Sequence, residues 1–296
     1  MPPQMKPTTR FRALMARQQV TIMPSIGDAF SARLVAREGF EAVMSSGNAS
    51  SATRLGMPDV GVMTLSENAE NAGRIAAASG LPTFADADTG YGNVLNVRRT
   101  IMEFERAGVA AIMLEDQVTP KRCGMLDGKR VVAAAEMEMK IKAALDARRD
   151  DDLVIVARTD ARAVEGLASA IKRAELYAKA GADAIFVEGP RTLEEAEEIA
   201  RNIDIPLLYN ITPTGSVPSL DVPTLERIGF RLLSCSVYVM LAAIPGMQGF
   251  LRTLKTTGDV GKAGASAAKM SEYLDILGLN EWQELEERFT LKPEKN

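Results

Sequence analysis

The chain has 296 residues, 46% hydrophobic and 25% charged, with a formal net charge of −4, an ordinary balance for a globular protein of one large domain or two average ones. Both charge signs are interspersed and no apolar run reaches about 18–20 residues, so neither nucleic acid nor a membrane is an expected partner. Histidine is absent, which removes Ser-His-Asp and Cys-His catalysis, His-ligated zinc and His general bases, and leaves proton transfer to Asp, Glu, Lys, Tyr or Cys.

The first ten residues carry Pro2, Pro3 and Pro7 and no apolar core of a secretory signal, and two cysteines, Cys123 and Cys235, make no disulfide framework. The expected compartment is therefore the cytoplasm. Val20–Pro24 is the first short apolar run. Ala36–Ser45 (AREGFEAVMS) then ends a helical segment at Gly39 and turns into a second run. This unit recurs at Arg106–Glu115 (RAGVAAIMLE), Lys179–Glu188 (KAGADAIFVE) and Arg227–Ser236 (RIGFRLLSCS), stopping at Gly108, Gly181 and Gly229. Glycine suits the left-handed residue that terminates a helix, and the run after it suits a strand buried on both faces. Leu81–Ala85, Leu153–Ala157 and Ile205–Tyr209 complete eight candidate strands.

Between them lie segments long enough for helices. The clearest is 165–180, with Leu167, Ala170, Ile171, Ala174, Tyr177 and Ala178 on one face and Lys172, Arg173 and Lys179 elsewhere. Eight alternating units predict a (β/α)₈ barrel, with an open doubly wound sheet as the alternative. We expect one barrel domain over 1–296, with 258–296 as a helical extension (265–277, then 280–289). Polar residues close six of the apolar runs: Ser45-Ser46-Gly47, Asp86-Ala87-Asp88, Glu115-Asp116, Arg158-Thr159-Asp160, Glu188 and Asn210. In a barrel these ends meet at one mouth, where active sites form. Helix capping is the competing explanation and suits Asp160, but not Glu115, Arg158 or Glu188.

Asp86 and Asp88 are two apart on an extended segment and so face the same way. With Glu115 from the next strand they form a hard-oxygen set suited to Mg²⁺. Cys123 follows Lys121 and Arg122, whose charges are expected to lower its pKa and make it a proton donor or acceptor near neutrality. An incidental loop cysteine is the competing reading.

These residues carry a resemblance. Ser46-Gly47, Leu55–Gly61 (LGMPDVG), Asp86–Asn93 (DADTGYGN), Glu115-Asp116-Gln117, Pro120–Gly124 (PKRCG), Ala157–Ala161 (ARTDA) and Asn210–Thr212 (NIT) resemble, in order and spacing, the isocitrate lyase/phosphoenolpyruvate mutase superfamily, from about Arg10 to Leu254. The resemblance implies Mg²⁺, or Mn²⁺ in its place, held by Asp86 and Asp88, with Glu115 and more loosely Asp59 acting through its waters. It implies a carboxylic acid substrate held by Ser46, Gly47, Asn48, Asp86, Cys123, Gly124, Arg158, Glu188, Asn210 and Thr212. Catalysis would fall to Cys123, Arg158 and Glu188, under a mobile gate around Cys123. The assembly implied is a homotetramer with C-terminal helices exchanged between subunits.

The Lys-Arg-Cys-Gly loop places the chain nearer the carbon–carbon lyases, of the methylisocitrate lyase and dimethylmalate lyase kind, than the phosphoenolpyruvate mutases proper. The expected reaction cleaves a substituted malate-like 2-hydroxy dicarboxylate into a 2-oxo acid and a carboxylic acid through an enediolate. Alternatives are oxaloacetate decarboxylation, a phosphonomutase-type reaction, or a barrel that has lost catalysis. Three departures stand out. Met125 replaces the usual His after Cys-Gly. Pro213-Thr214 replaces the Glu-Phe of tricarboxylate-cleaving members. Val237–Ala243 is apolar where methylisocitrate lyases offer an Arg. The last two point to a smaller dicarboxylate with an apolar substituent.

Overall fold

A computed structural model describes residues 5–290. The chain divides into two compact units, Met1–Met240 and Leu241–Asn296. Within the first, eight parallel strands close into a barrel: β1 (Thr21–Ile26), β2 (Val43–Ser45), β3 (Thr83–Asp86), β4 (Ala111–Glu115), β5 (Val154–Thr159), β6 (Ala184–Val187), β7 (Leu207–Ile211) and β8 (Leu232–Cys235). Each falls on one of the eight predicted runs, and β8 pairs with β1, so the open-sheet alternative is excluded. The helices before β4 and β8 end at Gly108 (φ +82°) and Gly229 (φ +104°), in the left-handed backbone that only glycine adopts freely.

Strand residues alternate between two apolar layers, as the two-residue repeat of an extended chain requires. Phe84, Ala111, Met113, Val154, Val156, Ala184, Phe186, Leu208 and Leu232 belong to one cluster inside the barrel. Ala85, Ile112, Leu114, Ile155, Ala157, Ile185 and Leu207 belong to another, between strands and helices. The helix Pro7–Ala16 adds Phe11, Leu14 and Met15 to the inner cluster. Its Arg12 donates to the carbonyls of Asp151, Asp152 and Leu153 at the start of β5, so it closes the N-terminal end of the barrel.

The long helix was expected at 165–180 and runs from Leu167 to Lys179. Arg173, assigned to its polar side, is in fact buried. It is held by Glu165 at 2.8 Å and Asp116 at 3.3 Å, a pairing across the barrel wall that helix periodicity alone does not show. The second unit contains the end of the helix Tyr238–Thr257, then Val260–Ala263, Met270–Ile276 and Leu279–Phe289. Residues 265–269, expected to be helical, are not in a helix. Among the described residues no helix is long and apolar enough to cross a membrane.

Candidate active site

The inward positions of each strand continue past the apolar layer into the site. Phe84 leads to Asp86 and Asp88, Met113 to Glu115, Val156 to Arg158, Phe186 to Glu188, Leu208 to Asn210 and Thr212, and Leu232 to Ser234 and Ser236. Register brings Glu115 beside Arg158 and Asn210 beside Ser234. Of these side chains, Asp86, Met113, Arg158, Phe186, Glu188, Asn210, Thr212, Ser234 and Ser236 line a pocket at the C-terminal end of the barrel, together with Met44, Ser46, Asn48, Asp59, Cys123, Gly124 and Met125; Asp88 and Glu115 are buried beside it. The pocket's free space is small, about 30 Å³, and Cys123, Gly124 and Met125 of the loop after β4 form part of its wall.

Arg158 occupies the centre. Its Nε and Nη2 each donate to Asp160 at 2.9 Å. Nη2 lies 3.1 Å from Glu188 and Nε 3.4 Å from Glu115, and the guanidinium stacks 5.3 Å from the Phe186 ring centroid. Burial works against its charge, but Asp160, Glu188 and Glu115 outweigh burial and hold its pKa well above the ordinary value. Asp160, allowed as a helix cap, makes no capping bond. A bidentate guanidinium offers its carboxylate more than a backbone N–H does, and it clamps Arg158 instead. Asp160 is fixed in turn by Asp116, which accepts from Asp160 N at 3.0 Å, Thr159 at 2.7 Å and Tyr177 at 2.8 Å.

The acidic residues meet beside Gly47. A Cβ built there would lie 2.9 Å from Asp86 Oδ2 and 3.4 Å from Asp88 Oδ1, and Gly47 N donates to Asp86 Oδ2 at 3.4 Å. Ser46 caps the short helix Gly47–Ser50 by accepting from Ala49 N. Asp88 has a left-handed backbone, φ +49°, of the kind that costs energy and gathers at functional sites. Burial raises its carboxyl to about 6, and Glu115 is also pushed well up by burial.

Lys121, read in the sequence only as a neighbour of Cys123, is buried against this cluster. Its Nζ lies 2.6 Å from Asp59 Oδ1 and 2.8 Å from Asp88 Oδ1. Four carboxylates (Asp88, Glu115, Asp86 and Asp59) raise its pKa well above normal in spite of burial.

Do these residues fit a divalent cation? Among the described residues no three Asp, Glu, His or Cys side chains form a ready-made cage. What is present is an all-carboxylate donor set with Glu115 Oε1 buried and without a hydrogen-bond partner. That suits an ion bound by few protein oxygens and several waters, as Mg²⁺ is.

The loop over the pocket is held at several points. Gln117 exchanges two 2.9 Å bonds with the backbone of Arg122, Cys123 N donates to Asp59 O at 3.1 Å, and Lys129 donates to Gly124 O. Asn48 Nδ2 lies 3.3 Å from Cys123 Sγ. The expected lowering of the Cys123 pKa is overturned. Burial raises it, and Asp59 adds to the rise against the backbone N–H of Met125, Asn48 and Lys121. The reason is spatial: Lys121 is committed to Asp59 and Asp88, while Arg122 reaches Asp127 O at the surface. Burial therefore favours the thiol of Cys123 over its thiolate.

Of the expected site residues, Ser46, Asn48, Asp59, Asp86, Cys123, Gly124, Arg158, Glu188, Asn210 and Thr212 line the pocket, while Gly47, Asp88 and Glu115 are buried next to Asp86 and Arg158. The sequence reading missed Lys121, Ser234 and Ser236. The two serines were legible, since they continue the inward alternation of Leu232.

A family model described as phosphoenolpyruvate phosphomutase matches residues 11–255. A 2,3-dimethylmalate lyase from Eubacterium barkeri is 40% identical over 288 residues, covering 96% of this chain and 99% of that protein. A structure of oxaloacetate acetylhydrolase with 3,3-difluorooxalacetate superposes with a TM-score of 0.91 at 32% identity, covering 97% of this chain and 98% of that one. A crystal structure of 2,3-dimethylmalate lyase also gives 0.91 at 32% identity, covering 97% and 96%. The chain belongs to the phosphoenolpyruvate phosphomutase family, within the PEP mutase/isocitrate lyase superfamily.

Proposed function

We propose that this protein is a Mg²⁺-dependent carbon–carbon lyase that cleaves a substituted malate-like 2-hydroxy dicarboxylate into a 2-oxo acid and a carboxylic acid. The observation that carries the reading is the pocket itself, where a buried guanidinium, an asparagine and a thiol face a cluster of carboxylates beneath the loop after β4. The 40% identity to a 2,3-dimethylmalate lyase supports it.

Asp86 and Asp88, with Glu115 and more distantly Asp59, would hold the cation. When bound, it would hold the reacting oxygens and offset the negative charge that develops on them. Arg158, with Nε and Nη2 engaged by Asp160 and Glu188, would pair with a substrate carboxylate through its remaining nitrogen, Nη1. Glu188 stands 3.1 Å from Arg158 Nη2, and burial holds its own pKa up, so it can take or return a proton at the substrate hydroxyl. Ser46, Gly47 and Asn48 bind a carboxylate from the opposite wall. Cleavage leaves an enediolate, which Cys123 protonates at carbon; the loop excludes water until it does. In the same proposal the enzyme is a cytoplasmic homotetramer.

A second reading is favoured by the hydroxyl-rich wall of Thr212, Ser234 and Ser236 and by the small free space. It takes oxaloacetate as substrate, cleaved by water or by loss of CO₂, and the fold neighbour that binds a difluorinated oxaloacetate supports it.

One assay separates the two. 2,3-Dimethylmalate and oxaloacetate are each supplied with Mg²⁺, and 2-oxo acid, oxalate and CO₂ are measured. A 2-oxo acid from dimethylmalate supports the lyase; oxalate or CO₂ from oxaloacetate supports the second reading. Asp86→Ala or chelation by EDTA is expected to abolish turnover in either case, and full activity in EDTA would overturn the metal assignment.

A further inference from the structure

The β7–β8 wall carries a device that nothing above assigns. Asn210 Oδ1 accepts from two hydroxyls, Ser234 at 2.7 Å and Ser236 at 2.9 Å. All three residues line the pocket, and Ser234 is 1% exposed. A primary amide can present either face to a cavity, its carbonyl or its NH₂. Each serine has one proton to donate. Were the amide reversed, its NH₂ would use the serine oxygens and two hydroxyl protons would lose their acceptor, a full penalty at buried Ser234 and a smaller one at half-buried Ser236. With Oδ1 on the serines, both hydroxyl protons are used and the two lone pairs of the carbonyl are filled.

From this we infer that Ser234 and Ser236 are positioning residues that lock the Asn210 amide with its NH₂ turned into the pocket. The wall thereby donates to the ligand, so it matches a carboxylate or carbonyl oxygen and discriminates against a group that can only donate, such as an ammonium. The inference deepens the proposed carboxylic-acid site and rests on it. Two donors on one acceptor also make the lock redundant, because either hydroxyl alone still leaves the reversed amide at a disadvantage.

The experiment uses the full-length protein with Mg²⁺ and oxalate, an acceptor-only dianion, with affinity measured by calorimetry. Wild type is expected to bind. Ser234→Ala and Ser236→Ala singly are expected to lose no more than a few-fold. The double variant is expected to lose roughly 10- to 100-fold, the range of one hydrogen bond to a charged group. Ser236→Thr in the Ser234→Ala background, which keeps one hydroxyl, is expected to hold the affinity of the Ser234→Ala single variant rather than fall to that of the double alanine variant.

Asn210→Asp is the second arm, in case the double variant is misfolded. Its carboxylate still accepts from both serines, so the fold and melting temperature hold, yet it turns an acceptor toward the dianion, and binding is expected to be lost. No oxalate binding by wild type would remove the carboxylic-acid site and this inference with it. Wild-type binding with undiminished affinity in the folded double variant or in Asn210→Asp would overturn the orientation lock alone. A loss carried in full by one single serine variant would also overturn it, by making that hydroxyl a direct ligand contact.

Discussion

At the scale of single residues, Cys123 shows what sequence neighbours can and cannot say. Its position over the pocket was legible from the Lys-Arg-Cys-Gly run, but its charge state was not. Adjacency in the chain suggested two stabilising cations, while the fold sends one into the Asp59–Asp88 pair and the other to the surface. A raised thiol pKa means that the protonated form persists through neutrality, and thiolate appears only above the ordinary thiol range. In chelator-treated protein with Cys235→Ser, alkylation of Cys123 by iodoacetamide is therefore expected to rise only in that alkaline range. A midpoint at or below neutrality would contradict the structure. A group that stays protonated is suited to donate, so Cys123→Ser should slow the chemical step by about 10²–10⁴-fold, as loss of a general acid does, with substrate affinity little changed. Asp160 teaches the same lesson. Its residue type suited a cap, and only the bidentate contact with Arg158 reveals its employment.

At the scale of elements, all eight strands were readable because each is a short apolar run set off by glycine or polar residues. The two-residue alternation then predicts which side chains enter the mouth, Ser234 and Ser236 included. Long-range pairings were not readable: Arg173 is a charged residue between Lys172 and Ala174, and its burial depends on Asp116 arriving at the end of β4. The loop over the pocket is the element whose seating is most constrained. A Cβ at Gly124 would lie 2.5 Å from Arg158 Nη2 and 2.8 Å from Glu188 Oε2. Both partners are buried and locked in ion pairs, so neither can yield. Gly124→Ala is expected to hold the loop off the pocket and, by displacing it on the order of 1 Å, to lower kcat/KM by about 10²-fold. Trypsin should cut at Lys121 or Arg122 faster than in wild type, with the melting temperature nearly unchanged. Wild-type kinetics together with wild-type resistance to trypsin would show that the loop does not seat on Arg158 during turnover.

At the scale of the whole molecule, apolar surface decides the argument. The helices Tyr238–Thr257, Met270–Ile276 and Leu279–Phe289 contain no buried residue. Leu251, Met270, Trp282 and Phe289 are 60%, 68%, 66% and 73% exposed. Scattered single residues would be unremarkable, but large apolar side chains this exposed on three helices that bury nothing of their own are what an association surface would cover. Each is worth about 1.5–3 kcal/mol when fully buried, so a handful outweighs the entropy of association. The sequence showed a helical extension after residue 258 but not what covers it, because a partner's surface leaves no periodic signal in the chain it covers. We expect light scattering at micromolar concentration to give four times the chain mass. The chain has one tryptophan, so Trp282 fluorescence reports directly on the same face. Its emission should lie to the blue of free indole in the assembled protein, and Leu251→Glu with Phe289→Glu should move it to the red as the mass falls, while the barrel keeps its circular dichroism. A wild-type protein of single-chain mass, or a double variant that keeps both mass and emission, would show that this face is not where the subunits meet.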